Sequence, residues 1–290
     1  MFNPDIDIPD LSGRVILVTG GNTGLGRETC LSLAKHNPQR LFIAARNAKT
    51  AGSVINDIKQ LAPQLEIEIS AQAPTALTCF SAMLGFWVPP PGLTVDGYEI
   101  HFGVNHLGHA LLVQLLLPKL LETTVVQPDV RVIVTTSDGY RFHAAEGIAF
   151  KDLRTTQLKL SFLNSLGGKD SWRRYSQSKL ANLVYTDGLA YRYPAVKFVA
   201  IHPGVCDTTL TPAWIKSNAL SRRLFAPGGL KTAEEGSLNQ LWAATGSDVT
   251  SGQYYEPIGI VGYRTPKAKE IKLREDLWEW TETQLKKWTV

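Results

Sequence analysis

The chain has 290 residues, 44% of them apolar and 19% charged. This composition excludes wholesale disorder, and the length suits one α/β domain over 1–290 rather than a stapled miniature or two full domains. Lysine and arginine number 30 against 26 aspartates and glutamates, a net charge of +4, too weak and dispersed for a nucleic-acid partner. Cys30, Cys79 and Cys206 are odd in number and far apart. They form neither a disulfide framework nor a metal knuckle, which favours a reducing compartment. The start, MFNPDIDIPDLSGR, shows no basic region followed by an apolar run, so no signal peptide is visible. The most apolar stretch, Ala110 to Leu121, is about a dozen residues where a membrane span needs about twenty, and reads as a buried helix. The expectation is a soluble, cytoplasmic protein.

In chain order, Arg14 to Thr19 is a short apolar run ending at glycines, the mark of a fully buried strand. Gly26 to His36 reads as a helix with Cys30, Leu31, Leu33 and Ala34 on its apolar stripe. Leu41 to Ala45 is a strand, Thr50 to Leu61 a helix and Leu65 to Ile69 a third strand. Val104 to Leu121 is a long helix, followed by the strand Val130 to Thr136. Tyr175 to Arg192 is a helix and Val196 to Ile201 a strand. A helix near Thr232 to Ala244, a strand at Gln253 to Glu256 and a helix from Lys269 complete the chain. Alternating strands and helices predict a doubly wound parallel sheet with right-handed crossovers.

The first strand runs into Thr19-Gly20-Gly21-Asn22-Thr23-Gly24-Leu25-Gly26. Glycines can serve plain turns. Here they lie between a strand and a helix, where a sharp turn brings backbone N–H groups and the positive helix end against a pyrophosphate. The second strand ends at Ala44-Ala45-Arg46-Asn47. An acid at this tip would suit the ribose hydroxyl of NAD and an arginine suits a 2′-phosphate, so Arg46 favours NADP(H) over NAD(H) unless it is a plain surface arginine.

Tyr175 and Lys179 stand at i and i+4 on one helix face. A phenol titrates near 10, and a neighbouring ammonium would lower that value and make it an acid–base group for an alcohol or carbonyl oxygen. Ser137, at a strand end, is a second oxygen-binding group if it is not simply a turn serine. Asn105 lies within an apolar helix and must be paired or functional.

Taken together, Thr19-Gly20-x3-Gly24-x-Gly26, Asn105 in Val-Asn-His-Leu-Gly-His, Ser137, Tyr175-x3-Lys179 and Pro203-Gly204-Val205-x2-Thr208 resemble the short-chain dehydrogenase/reductase family. Asp96-Gly97-Tyr98-Glu99, Ser178-Lys179-Leu180-Ala181-Asn182 and Glu235-Gly236 are similar to its retinol-dehydrogenase-like branch, as are many fungal secondary-metabolite reductases. The likeness covers about residues 10–70 and 90–260. It implies a Rossmann-type fold and an NADP-dependent oxidoreductase acting on a carbonyl or secondary alcohol. Tyr175 would be the acid–base. Lys179 would lower its pKa and hold the nicotinamide ribose, Ser137 would steady the substrate oxygen, and Asn105 would support a water-mediated proton path. Gly20, Asn22, Gly24, Leu25 and Gly26 would form the pyrophosphate turn, with Arg46 at the adenosine ribose and Val205 and Thr208 at the nicotinamide end. A homodimer through the Asn105 and Tyr175 helices is a further implication.

The connection from Ser137 to Tyr175 is long for the family, so Phe142 to Ser171 is an extra lobe by the substrate. Residues 209–227, with Trp214, Leu220 and Phe225, are either an apolar substrate flap suited to a lipophilic compound or a dimer contact. His101, His106, His109 and His202 lack a metal-ligand pattern. The chain also departs from the family. It lacks the Asn-Ala-Gly turn after the fourth strand and the acid after the third. Residues 70–88 have room for only a truncated third crossover helix and fourth strand. Codon degeneracy permits Phe80 to Val88 to read Leu-Ser-Asn-Ala-Gly-Ile-Leu-Gly in a shifted frame, which points to a frameshift or mis-spliced exon. A degraded, non-catalytic nucleotide or partner binder is therefore the alternative reading. An extended-branch nucleotide-sugar epimerase fits the glycine spacing and length less well.

Overall fold

The apolar runs bounded by glycines and polar turns do become covered strands. The computed structural model describes residues 2–69, 79–82, 91–158, 170–207, 216–220, 223, 226 and 228–289. The strands are β1 (Val15–Thr19), β2 (Arg40–Ala44), β3 (Glu66–Ile69), β4 (Cys79–Ala82), β5 (Arg131–Thr135), β6 (Lys197–Ile201) and β7 (Tyr254–Tyr255). They form a seven-stranded sheet in the order β3-β2-β1-β4-β5-β6-β7, with every described pair parallel. The order reverses between β1 and β4, and the crevice beyond the carboxyl ends of those strands is where open α/β sheets bind ligands.

The fourth strand is present and short. It has four residues against five in β1, β2, β5 and β6. It pairs on both sides, from Ile16↔Cys79 to Val18↔Ser81 and from Cys79↔Arg131 to Ala82↔Val134. A gap in mid-sheet would leave the backbone groups of β1 and β5 without partners, so a short run is drawn in. The crossover expected to be truncated falls on residues 70–78, outside the described residues.

The longer helices among the described residues are α1 (Gly24–Ala34), α2 (Ala48–Leu61), α3 (Gly108–Thr124), α4 (Asp170–Arg192), α5 (Ala233–Thr245) and α6 (Ile271–Leu285). Side chains of a strand alternate between faces, and β1 feeds two cores accordingly. Ile16 and Val18 join Leu33 of α1, Ile58 of α2 and Leu241 of α5. Val15 and Leu17 join Val113 and Leu116 of α3, Leu180 and Val184 of α4 and Leu277 of α6. Among the described residues, helices lie on both faces, as a doubly wound sheet requires.

The helical run Ile100–Thr124 is long and apolar enough to cross a bilayer by length and composition. It also buries Asn105, His106 and His109 and lays Val113, Leu116 and Leu120 on the sheet core. Its segment Gly103–Leu107 is a π turn. The last helix, α6, lies against this run and α4. Thr281 Oγ1 meets His106 Nε2 at 3.0 Å, and Trp278 stacks on Tyr185 with centroids 5.2 Å apart. Part of the surface through which the resemblance implied a homodimer is therefore taken by the chain itself.

Burial pushes His106 down to about 3 and His109 to about 4, the charge of Lys179 adding to the shift at His109. Both stay neutral in the fold, whereas an unfolded histidine takes its proton near 6.5. As pH falls the unfolded chain binds these protons first. Stability is therefore full above about pH 6.5 and falls below it, by up to about 2.7 kcal/mol per pH unit from this pair until about pH 4. Urea unfolding at about pH 7 and about pH 5 measures the slope, and a slope under one proton would refute it.

Candidate active site

β1 hands over to α1 through a tight loop. Gly20 and Gly24 adopt φ of +63° and +51°, a region closed to most side chains. A Cβ on Gly26 would stand 2.2 Å from the Gly20 carbonyl oxygen. Thr23, the N-cap of α1, makes no side-chain capping bond, so no side chain of the cap residue takes up the first-turn N–H groups at the positive helix end. That is a cradle for a phosphate. Asn22 Nδ2 donates to Thr50 Oγ1 at 2.7 Å, tying the loop to α2. Leu25 faces the other way: its side chain lies 3.3 Å from the Cβ position of Gly236, and its carbonyl accepts from Gln240 Nε2 at 3.3 Å. Its side chain is a packing element, and only its backbone serves the turn. Arg46 is exposed just before Asn47, the N-cap of α2. Among the described residues it has no ion pair.

α4 carries Tyr175 and Lys179 on its buried face, 7% and 1% exposed. Lys179 Nζ stands 5.7 Å from the Tyr175 ring centroid and donates to the Thr135 carbonyl at 3.1 Å. The spacing brings the two together, but the expected lowering of the phenol is reversed. Burial pushes Tyr175 up to about 12, partly offset by a hydrogen bond with Ser137, and pushes Lys179 down to about 7. Desolvation disfavours both charged forms.

Ser137 follows β5 and caps the short 3-10 turn Asp138–Phe142, accepting from Gly139 N–H at 3.1 Å. It thus reaches the Tyr175 phenol from the sheet side. A Cβ on Gly139 would lie 3.3 Å from Ser137 Oγ and 3.5 Å from the Tyr175 ring, so the glycine keeps the approach open. Asn105, fully buried in the π turn, donates through Nδ2 to Ser178 Oγ at 3.0 Å. Its carbonyl accepts from His109 Nδ1 at 3.1 Å. Val205 lies beyond β6, where its carbonyl accepts from Lys231 N–H at 2.9 Å. Thr208, Trp214, Phe225 and most of the expected flap lie outside the described residues, as do 159–169 of the expected lobe.

Sequence reasoning missed a buried ionic group beside Tyr175. Glu99 Oε1 lies 3.5 Å from Arg174 Nε and 2.9 Å from His101 Nδ1, and Glu99 Oε2 accepts from Phe102 N–H at 2.8 Å. The His101 ring meets Tyr175 edge-on with centroids 6.2 Å apart. The only sequence signal was a glutamate opening an apolar helix. Among the described residues no three histidine, cysteine or acidic side chains gather to hold a metal.

No protein-family model matches the chain. Human retinol dehydrogenase 12 is 32% identical over 295 residues, covering 92% of this chain and 85% of that protein. A short-chain dehydrogenase/reductase of Aspergillus calidoustus is 28% identical over 313 residues, covering 97% and 96%. A solved structure from Mycobacterium paratuberculosis superposes with a TM-score of 0.72 at 26% identity, over 98% of this chain and 97% of that one. Identity of this extent over nine-tenths of the chain reflects common ancestry. The chain belongs to the short-chain dehydrogenase/reductase family and is an oxidoreductase.

Proposed function

We propose that the protein is an NADP-dependent reductase of a small lipophilic carbonyl compound, the reverse oxidation of a secondary alcohol being the same chemistry, and that its substrate belongs to secondary metabolism. The observation that carries the reading is the meeting of Ser137, Tyr175 and Lys179 beside the switch point of the sheet. The glycine loop, with its closed Gly26 position and uncapped helix end, suits a pyrophosphate. Gly20, Asn22, Gly24 and the backbone of Leu25 and Gly26 would hold that part of the cofactor and Val205 would meet its nicotinamide end, a role also proposed for Thr208, which lies outside the described residues. When bound, the nicotinamide supplies the hydride. Tyr175 gives its proton to the carbonyl oxygen, which is what a phenol pushed up to about 12 can do across the physiological range. Ser137 holds the same oxygen through its hydroxyl. Lys179 orients the ribose and, when charged, steadies the phenolate left behind. NADPH titration by fluorescence, with consumption followed on a panel of lipophilic aldehydes and ketones, tests the reading. Binding without turnover on any of them would favour the non-catalytic alternative.

The preference for NADP rests on Arg46, exposed at the tip of β2 with no acid from Ala44 to Asn47. A charge-assisted contact to the 2′-phosphate contributes about 1.5 to 3 kcal/mol. Arg46→Ala is then expected to weaken NADPH binding about ten-fold or more and NADH binding little. Equal losses for the two cofactors would reject the assignment.

A further inference from the structure

Three hydrogen bonds run in one direction from α3 to the catalytic turn of α4. His109 Nδ1 donates to the main-chain carbonyl of Asn105 at 3.1 Å and so holds its backbone, the Asn105 side-chain Nδ2 donates to Ser178 Oγ at 3.0 Å, and Ser178 Oγ donates to the main-chain carbonyl of Tyr175 at 2.7 Å. All four residues are buried, Asn105 and Ser178 completely and His109 and Tyr175 to 7% exposure. The donor sense is forced. The Tyr175 carbonyl can only accept, so it takes the one proton of the Ser178 hydroxyl. Ser178 Oγ must then accept from the amide side of Asn105. The Asn105 carbonyl likewise only accepts, which fixes the proton of His109 on Nδ1. Asn105 lies within the π turn Gly103–Leu107, a kind of turn frequent at functional sites.

The chain of bonds ends on the backbone of the residue whose phenol must meet the substrate oxygen. The phenol swings about that backbone, and a displacement of about 1 Å at a reacting atom can cost about 10²-fold in rate. We propose that His109 and Ser178 are positioning residues of the reaction, acting through Asn105 to hold Tyr175 in its working place. This rests on the reading of Tyr175 as the proton donor. It gives Asn105 a mechanical task, performed by its amide, in addition to the proton path that the family resemblance implies for it.

The test uses the full chain and four variants. Ser178→Ala removes the central hydroxyl and is expected to lower kcat about 10- to 100-fold, with KM for NADPH within about two-fold. Ser178→Thr keeps a hydroxyl and recovers most of that loss. His109→Leu removes the first donor and is expected to lower kcat about ten-fold, whereas His109→Asn places an N–H where Nδ1 stood and recovers it. A second readout does not need activity. With tyrosine labelled at the ring carbon bearing the hydroxyl, the Tyr175 resonance, identified by its loss in Tyr175→Phe, should move in Ser178→Ala and His109→Leu and return in Ser178→Thr and His109→Asn. Native kcat in Ser178→Ala, equal losses in the alanine and threonine variants, or a resonance that does not move would each overturn the proposal. If Ser178→Ala does not fold, the two His109 variants carry the same comparison. If Tyr175→Phe turns over as fast as the native chain, the proton-donor reading fails, and the resonance alone decides whether the bonds position Tyr175.

Discussion

Phenylalanine at position 175 is expected to lower kcat by about 10² to 10⁴-fold while leaving NADPH affinity within about two-fold. The substitution removes one hydroxyl from a ring whose packing contacts phenylalanine can keep. Tyr175 lies edge-on to His101 and Trp172, with centroids 6.2 and 6.4 Å away, and phenylalanine keeps both contacts. What is lost is the proposed proton donor and its hydrogen bond with Ser137. Among the described residues the neighbouring cation, Lys179, donates to the Thr135 carbonyl. Steady-state rates with the best substrate, beside fluorescence titration of NADPH, separate the two effects. A variant retaining more than about half of native kcat would show that another group gives the proton.

The second large effect concerns residues 70–88. The carboxyl end of β4 lies at the switch point, between the glycine loop after β1 and Ser137 after β5. The sequence that leaves it is Met83-Leu84-Gly85, where the family resemblance implies Asn-Ala-Gly. Each neutral hydrogen bond to the cofactor is worth about 0.5 to 1.5 kcal/mol, so several lost together weaken binding about 100-fold. The chain with these residues replaced by a full crossover helix and an Asn-Ala-Gly turn should bind NADPH about 100-fold more tightly and stay soluble to higher concentration. Titrating both chains, and sequencing the transcript across codons 70 to 90, decides the matter. An uninterrupted frame together with normal reductase activity of the present chain would sink the idea.

Much of the fold was legible because buried parallel strands are written locally. Val15 to Thr19, Arg131 to Thr135 and Lys197 to Ile201 stand within a residue of where their apolar runs place them. Helix starts were less legible. α1 begins at Gly24 rather than Gly26, and α4 at Asp170 rather than Tyr175, because helix ends are set by capping and tertiary contacts more than by apolar period. The residues of the site were legible as types at a spacing. Their electrostatics were not: two positions of one helix can be seen to meet, but the burial that raises Tyr175 and lowers Lys179 depends on β5 and the π turn packed over them. Ser178 stood in plain view beside Lys179, and His109 four residues after Asn105. Only their three-dimensional neighbours show that one chain of donors joins them. The glutamate at 99 gave no hint of Arg174, its partner from a distant helix.

The pairing of β1 with β4 spans three residue pairs, against five for β1 with β2 and five for β5 with β6. This narrow seam is the place where the two halves of the sheet are joined. The first half, from β1 to β3, is contiguous in sequence and can assemble from neighbouring contacts, while closing the seam must wait for a distant strand. The glycine loop lies on one side of this line and Ser137, Tyr175 and Lys179 on the other, while α1 packed on α5 and the two shared cores bind the sides together across it. A dinucleotide lying across that line would contact both halves at once and act as a clasp, so cofactor and cohesion of the fold become one equilibrium.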